Sequence, residues 1–188
     1  MSAPRVILGV SGASGAALAL AAAQRLAALG AGIDLVISRA ARLTLAEEIG
    51  KGAVDELHAR ATHIHNIDNM GAAIASGSVP VQGMIVAPCS MRSLAAIAHG
   101  LDDTLLTRAA GVQLKERRRV VLLTREAPLT LAHLRNMSAA TEMGAILLPP
   151  VPAFYLKPQS LQDVIDQIAA RAVDLLQLGA PGARQWHG

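Results

Sequence analysis

A turn of small residues near the start of the chain is the first candidate for chemistry. The apolar run Arg5–Val10 leads into Ser-Gly-Ala-Ser-Gly and then into an Ala/Leu-rich helical pattern. Gly12 and Gly15 allow a ligand to approach the backbone closely, and Ser14 adds a hydroxyl. Unpaired N–H groups where the helix begins favour an anion. The pattern predicts a phosphorylated ligand, whose identity stays open because the spacing is not the GxGxxG of dinucleotide-binding folds.

The pair Arg125-Glu126 is the second candidate. It directly follows the apolar run Val120–Thr124, so it would lie at the ligand-binding edge of a sheet. There the arginine would clamp an anion next to a carboxylate that is able to move protons. A structural ion pair is the alternative. The position at the end of a strand favours function.

The segment Pro88–Ser93 follows another apolar run and begins a helix. Ser90 and Ser93 are suited to capping that helix. Arg92 lies where the helix dipole disfavours a cation unless an anion is bound. The segment therefore favours a phosphate or carboxylate ligand over capping alone.

Three further candidates depend on which way a helix or loop faces. Lys115 shares a helix face with Arg108, and the pattern leaves ligand binding and solvation equally open. Tyr155 lies in the proline-rich crossover Pro149–Pro158 and is interpreted as a phenol donor on a lid. Arg171 borders the apolar stripe of the last helix and needs either a carboxylate or a phosphate as its partner.

Cysteine and metal chemistry are not expected. Cys89 is the single cysteine, and with no adjacent base or cation it is interpreted as a buried small apolar residue. His63 and His65 would share a strand face, but no carboxylate or cysteine in the sequence completes a metal set. We therefore predict no metal site.

The composition excludes several classes of function. Hydrophobic residues make up 52% of the 188 residues and charged residues 16%, yet no apolar run approaches the length of a membrane span. So few charges predict an oligomer. The net charge of +3 and the single Trp, Tyr and Phe argue against nucleic-acid binding. The lack of a recognisable signal peptide and of a cysteine pair predicts a cytoplasmic location.

Alternating strands and helices have to position these candidates. Five continuous aliphatic runs predict strands buried on both faces: Arg5–Val10, Ile33–Ser38, Gly83–Pro88, Val120–Thr124 and Ala145–Pro149. Helical patterns fill the gaps: Ser14–Leu29, Arg39–Ile49, Arg92–Ala98, Asp103–Glu116, Thr130–Met143 and Ser160–Leu178. The alternation predicts an α/β fold with a parallel sheet between helices, in one domain over residues 1–178, followed by a tail over 179–188. Residues 51–81 are less regular and are interpreted as an excursion with a loop at its end.

The motif blocks in this order make the chain similar to the UbiX-like flavin prenyltransferases. The resemblance covers Val6 to Leu176 and depends on GVSGASGA (9–16), ISRAA (37–41), IASGS (74–78), PCSMRSL (88–94), LLTRAAGVQLKERR (105–118), TREAPL (124–129) and residues 136–166. It implies a flavodoxin-like, doubly wound, three-layer α/β/α fold and a homododecamer. It also implies metal-independent transfer of a dimethylallyl group from dimethylallyl phosphate to N5 and C6 of reduced FMN. The product, prenylated FMN, would serve a UbiD-type decarboxylase.

The resemblance also assigns roles to residues. It implies FMN contacts at Gly12, Ala13, Ser14, Ser38, Ser90, Met91, Arg92, Ser93 and Arg125. It implies prenyl-phosphate contacts at Lys115, Arg125, Tyr155 and Arg171. It implies catalytic roles for Ser14, Glu48, Lys115, Glu126 and Tyr155. The cations and the phenol would stabilise the departing phosphate, and either Glu126 or that phosphate would take up the proton released on ring closure.

Three points stay open at this stage. Some members carry a Trp before the IASGS block, where this chain offers only Met70, so either a phosphate or a pyrophosphate is compatible as the prenyl donor. An FMN-dependent cysteine decarboxylase is one alternative function, although it would carry a PASANT-like motif where this chain has PCSMRS. A non-catalytic FMN-binding subunit of a decarboxylase is the other.

Overall fold

The aliphatic runs of the sequence form the inner strands of a parallel sheet. The computed structural model describes residues 3–186. Its strands are β1 (Arg5–Val10), β2 (Gly32–Ile37), β3 (His63–His65), β4 (Gly83–Cys89), β5 (Arg119–Thr124) and β6 (Ile146–Leu147). They pair in parallel in the order β3-β2-β1-β4-β5-β6. Without the short edge strand β3, this is the flavodoxin-like order, which confirms the predicted fold class.

Helices cover both faces of the sheet. They are α1 (Ala16–Ala28), α2 (Arg39–Glu48), α3 (Ala53–Arg60), α4 (Met91–Ala98), α5 (Leu105–Lys115), α6 (Leu131–Glu142) and α7 (Leu161–Asp174). One apolar core joins the sheet to α1, α2, α3 and α7, and the other joins it to α4, α5 and α6. Successive strand residues alternate between these cores, so the inner strands are apolar throughout. Within residues 3–186, no helix has the length and apolar character needed to cross a membrane.

The strands β2 and β3 lie on one side of β1, whereas β4, β5 and β6 lie on its other side. The strand order therefore changes direction between β1 and β4. Ser11, which is buried, links the ends of these two strands. Its hydroxyl donates to the carbonyl of Pro88 at 2.9 Å and accepts the N–H of Ser90 at 2.7 Å. Because ligands of open parallel sheets bind at this switch point, Ser11 fixes the geometry of the expected site.

The structure confirms the loop at the end of residues 51–81 but shows that the first part of this segment is regular. This segment contains α3 and β3, and only the part after His65 is mostly loop. In α3 the buried residues are Ala53 and Leu57, and β3 is exposed at both His63 and Ile64. Neither element has the long apolar signature on which the prediction depended. The last strand is also shorter than predicted, since Pro149 and Pro150 lack the N–H groups that extend a ladder.

A buried carboxylate anchors the edge strand. Asp34 is fully buried, forms an ion pair with Arg5 and lies 2.7 Å from Nε2 of His65 and 3.6 Å from Nδ1 of His63. The sequence did not reveal this carboxylate beside the two histidines. Within residues 3–186, the structure nevertheless contains no cluster of His, Cys, Asp or Glu that could hold a metal ion.

We expect Asp34→Asn to lower the free energy of unfolding by about 3 kcal/mol at neutral pH, because it leaves Arg5 without its partner. Burial raises the pKa of Asp34, but the hydrogen bonds from Arg5 and His65 outweigh it and bring the pKa below its usual value. The stabilisation is thus complete above the unfolded-state pKa of about 3.9 and is lost as the pH falls through the folded-state pKa. Urea denaturation at several pH values from neutral down to the folded-state pKa measures this free energy of unfolding. Asp166→Asn, at an exposed residue, is the control. Equal losses in both variants would contradict the prediction.

Candidate active site

A groove of about 350 Å³ opens beyond the carboxyl ends of β1, β2 and β4. Its wall is formed by the turn after β1, by the start of α2, α4 and α5, and by the loop after β3. The lining residues include Gly12, Ser38, Arg39, Ile67, Asp68, Ser90, Arg92, Ser93, Thr104 and Leu106. The structure thus brings together five of the residues predicted to bind FMN. Of the remaining four, Ala13, Ser14 and Arg125 lie in the turns after β1 and β5, and Met91 is the first residue of α4.

Gly12 is required where the turn after β1 meets α2. A Cβ atom on Gly12 would overlap the side chain of Ala40 and would lie 3.0 Å from its carbonyl carbon. This backbone therefore cannot move aside for a larger residue without displacing α2. Because α2 starts at the groove with Ser38 as its N-cap, the close packing sets the width of the groove.

Hydroxyls at the groove cap their own helices. Ser38 accepts the N–H of Ala41, and Ser90 accepts the N–H of Ser93 at 3.2 Å. The capping interpretation of Ser90 is therefore correct. It does not exclude ligand binding, because each hydroxyl keeps further hydrogen-bonding capacity.

Two arginines face the groove with carboxylates across from them. Arg92 forms an ion pair with Asp103, and Arg39 with Asp68 at 2.7 Å. All four side chains are more than half exposed. Exposed pairs contribute at most about 1 kcal/mol, so an incoming anion can exchange for either carboxylate.

The anion at the start of α1 is the protein's own carboxylate. Oε2 of Glu48 accepts the N–H groups of Gly15 and Ala16, both at 2.8 Å. Burial raises the pKa of Glu48, but the hydroxyl of Ser14, these two N–H groups and the charge of Arg125 outweigh it, and the pKa is lowered. The phosphate predicted at this helix end is thus replaced by Glu48. The consequence is a fixed, ionised carboxylate that orients Ser14 and lies close to Arg125.

The pair Arg125-Glu126 directly follows β5, at the carboxyl ends of the strands. The N–H of Arg125 donates to the carbonyl of Cys89 at 3.1 Å, which ties this turn to the end of β4. Both side chains are exposed, and Glu126 Oε1 accepts the N–H of Ala127 at 3.1 Å. Cys89 itself is buried, and burial raises the pKa of its thiol to about 12, so it cannot act as a nucleophile.

A second cavity of about 430 Å³ holds the predicted lid tyrosine and the last-helix arginine. Its wall is formed by the proline-rich crossover, α7 and the segment after α7, and it includes Tyr155, Arg171, Asp174 and Trp186. The rings of Tyr155 and Trp186 meet edge to face, with centroids 5.2 Å apart. Within residues 3–186, no ion pair involves Arg171. This cavity therefore presents a guanidinium and a phenol to an anion.

Lys115 lies near the amino ends of the strands, whereas the groove lies beyond their carboxyl ends. It is the last residue of α5, four positions before β5 begins, whereas Arg125 follows the end of β5. Six strand residues separate the two edges by about 20 Å. Lys115 forms an ion pair with Glu116 and is half exposed. A single copy of the chain thus does not bring Lys115 to Arg125, contrary to the convergence expected from the sequence.

Comparisons with known proteins identify the family. A model described as "Flavoprotein" matches residues 1–173. The flavin prenyltransferase UbiX of Neisseria meningitidis serogroup B is 50% identical over 184 residues, which cover 98% of this chain and 97% of the relative. The chain belongs to the UbiX-like flavin prenyltransferase family. The predicted resemblance is therefore confirmed.

Two solved structures show what members of the UbiX-like family bind and how they assemble. AnUbiX (PadA1), in complex with FMN and dimethylallyl pyrophosphate, is 43% identical, with a TM-score of 0.94 and coverage of 100% of this chain and 99% of that chain. A dodecameric FMN-dependent UbiX-like decarboxylase from Escherichia coli O157:H7 is 42% identical, with a TM-score of 0.92 and coverage of 98% and 100%. The similarity extends over the whole fold, including the glycine turn and the segment after α7.

Sequence reasoning missed two residues that position Lys115 in this UbiX-like chain. Gly77, in the IASGS block, packs against the Lys115–Glu116 pair, and a Cβ there would overlap Glu116 and lie 2.7 Å from Nζ of Lys115. Arg118 donates to the carbonyls of Gly77 at 2.8 Å and Val79 at 2.9 Å. Arg118 belongs to the basic run Lys115–Arg119, a pattern that is typical of a solvated helix end and does not indicate a bond to a distant loop. The IASGS block was the one available signal, but it indicates no role by itself.

We expect Gly77→Ala to lower kcat/KM for the prenyl donor by about tenfold with little change in Tm, because the overlapping atoms are the flexible ends of Lys115 and Glu116. FMN affinity should not change, since the groove is at the other edge of the sheet. Steady-state kinetics, a flavin titration and thermal unfolding measure these effects. Gly71→Ala is the matched control, because a Cβ there meets only Asn69 at 3.6 Å. A fall in Tm that accounts for the lost activity would contradict this positioning role.

Proposed function

We propose that this chain transfers a dimethylallyl group from dimethylallyl phosphate to N5 and C6 of reduced FMN. The relatives named as flavin prenyltransferases support prenyl transfer to a flavin. The observation that carries the proposal is the cavity that joins Arg171, without an acidic partner among residues 3–186, to the phenol of Tyr155. Such a cavity is suited to binding a phosphate and to stabilising it as it leaves. The 50% identity to the Neisseria meningitidis flavin prenyltransferase over 98% of this chain supports the same reaction.

The groove fits a flavin mononucleotide. Its volume lies within the usual range for ligand pockets, and Ile67 and Leu106 offer apolar wall next to hydroxyls and arginines. Gly12 allows the flavin to approach the backbone, while Ser38, Ser90 and Ser93 offer hydroxyls to its polar groups. When bound, reduced FMN supplies the nucleophilic ring atoms that accept the prenyl group.

The chain's own residues control charge in this reaction. Breaking the C–O bond of the donor places negative charge on the phosphate, which Lys115, Arg125 and Arg171 would neutralise. The hydroxyl of Tyr155 would donate to the same phosphate. Ionised Glu48 holds Ser14 beside the groove, and Glu126 is the proposed acceptor of the proton lost from C6.

Neighbouring copies would complete each site. Lys115 is half exposed and about 20 Å from the Arg125 edge of its own chain, so another copy must supply it if it contacts the phosphate. Leu129, Leu131 and Leu134 are exposed next to the Arg125 turn and offer apolar surface to such a copy. A homododecamer like that of the Escherichia coli relative is the proposed assembly. We further propose a cytoplasmic location and a UbiD-type decarboxylase as the recipient of the product.

Mass spectrometry of the flavin product tests the function. Purified protein is incubated anaerobically with reduced FMN and with dimethylallyl phosphate or pyrophosphate in separate reactions. The flavin should become heavier by one prenyl unit with at least one donor, and the product should activate a cofactor-free UbiD-type decarboxylase. An unchanged flavin mass with both donors would refute the proposal. Flavin reduction by a cysteinyl substrate would instead indicate the decarboxylase alternative.

A further inference from the structure

Two side chains of α7 hold the segment after the helix by its backbone. Gln167 accepts the N–H of Arg184 and donates to the carbonyl of Arg184, both at 3.0 Å. Asp174 accepts the N–H of Gly182 at 2.7 Å and that of Ala183 at 2.9 Å. We call Gln167 and Asp174 the tail clamp. Because the four bonds go to backbone atoms, the clamp sets the path of the segment regardless of its side chains.

The clamped segment forms one wall of the cavity that contains Arg171. Pro181, Ala183, Arg184 and Trp186 all line this cavity. The path set by the clamp ends with Trp186 against the ring of Tyr155, at a centroid distance of 5.2 Å. An aromatic pair of this kind contributes about 1 kcal/mol, enough to restrict the rotation of the Tyr155 ring. The position of the phenol therefore depends on the docked segment.

The clamp also determines the electrostatics of the cavity. Arg171 and Asp174 are three positions apart on α7, a spacing that places them on one helix face, and both line the cavity. A carboxylate there would ordinarily pair with the arginine. In the structure its two oxygens instead accept N–H groups of the tail, and no ion pair within residues 3–186 includes either residue. Docking of the tail thus separates the carboxylate from the guanidinium.

We propose that Gln167 and Asp174 are positioning residues, which act by docking the tail so that Arg171 is available to a phosphate oxyanion. With the tail undocked, Asp174 turns to Arg171 and competes with the anion. The docked tail also closes the cavity and holds Tyr155 for the same phosphate. The identification of this anion as the phosphate of the prenyl donor rests on the proposed function, whereas anion binding itself does not.

Binding of inorganic phosphate to the FMN-loaded, full-length protein tests the inference without prenyl transfer. Calorimetry measures the affinity, and time-resolved anisotropy of Trp186, the single tryptophan, reports whether the tail is docked. Gln167→Ala should weaken phosphate binding by about tenfold and add a fast anisotropy decay, because Asp174 is then able to compete. Gln162→Ala is the matched control, since the side chain of Gln162 bonds to Asp166 within the same helix and not to the tail residues up to Trp186.

A double variant separates competition from a mere loss of structure. In Gln167→Ala/Asp174→Asn the tail stays undocked and Tyr155 is no longer held, but the competing charge is gone, so phosphate affinity should rise by about threefold over that of Gln167→Ala without reaching that of the unaltered protein. Unchanged phosphate binding in Gln167→Ala, or no recovery in the double variant, would overturn the inference. So would an unaltered protein that does not bind phosphate. Failure of the proposed function would be seen differently, as intact phosphate binding with no prenylated flavin.

Discussion

Replacing Lys115 by methionine should lower kcat/KM for dimethylallyl phosphate by about 10³-fold and leave FMN affinity within about twofold. The methionine keeps most of the apolar stem but removes the cation that would neutralise the leaving phosphate. FMN affinity is retained because Lys115 is the proposed contact of the donor phosphate and is not among the proposed contacts of the flavin. Steady-state kinetics and a flavin fluorescence titration measure the two effects.

The control for this variant is Lys51→Met, which removes an exposed lysine in the turn between α2 and α3. It should leave both quantities unchanged. A Lys115→Met enzyme with normal kcat/KM would show that Lys115 takes no part in binding the donor. Equal losses of FMN affinity and of rate would show that the substitution disturbs the fold.

Arg125→Met should produce losses in both FMN affinity and rate, with kcat/KM lower by about 10²- to 10³-fold. Arg125 ends β5 beside the groove and is the proposed contact to both ligands. Burial raises the pKa of Glu48, whereas hydrogen bonds from Ser14, Ala16 and Gly15 lower it. The positive charge of Arg125 lowers it further, as a smaller effect. Removing it should therefore raise the pKa of Glu48. The acidic limb of the pH–rate profile should move to higher pH.

The exposed Arg135→Met on α6 serves as the control for charge alone. Flavin titration of both variants measures the loss of FMN affinity, and their pH–rate profiles measure the shift in the pKa of Glu48. If Arg125→Met changes kcat/KM without moving the acidic limb, Glu48 is not coupled to the reaction. If it changes neither, Arg125 is only a structural residue.

Continuous apolar runs were sufficient to predict the inner sheet. The strands β1, β2, β4 and β5 are buried on both faces, so nearly every residue had to be apolar, and the pattern was unmistakable. The edge strand β3 was not predicted, because it is only partly buried. The three residues of β3 include two histidines that face Asp34, and polar residues of this kind do not predict a strand.

The site was predictable as a set of residues but not as an arrangement. Ser38, Ser90 and Arg92 could be placed at strand ends because parallel strands end at a common edge. The residue pattern alone could not predict the contact of Glu48 with the start of α1, since it joins residues more than 30 positions apart, and only the family resemblance brought Glu48 into the site. The location of Lys115 could have been foreseen, because a helix that precedes a parallel strand ends at the edge where that strand begins. Motif order alone carried no such geometry.

Mixed assembly of two inactive chains tests most directly whether neighbouring copies complete each site. Lys115→Met and Arg125→Met chains are co-expressed in equal amounts, purified as mixed oligomers and assayed for prenylated flavin. If Lys115 and Arg125 of one site come from different copies, random assembly should restore about a quarter of the normal activity. Activity no greater than that of the two separate variants would contradict the account.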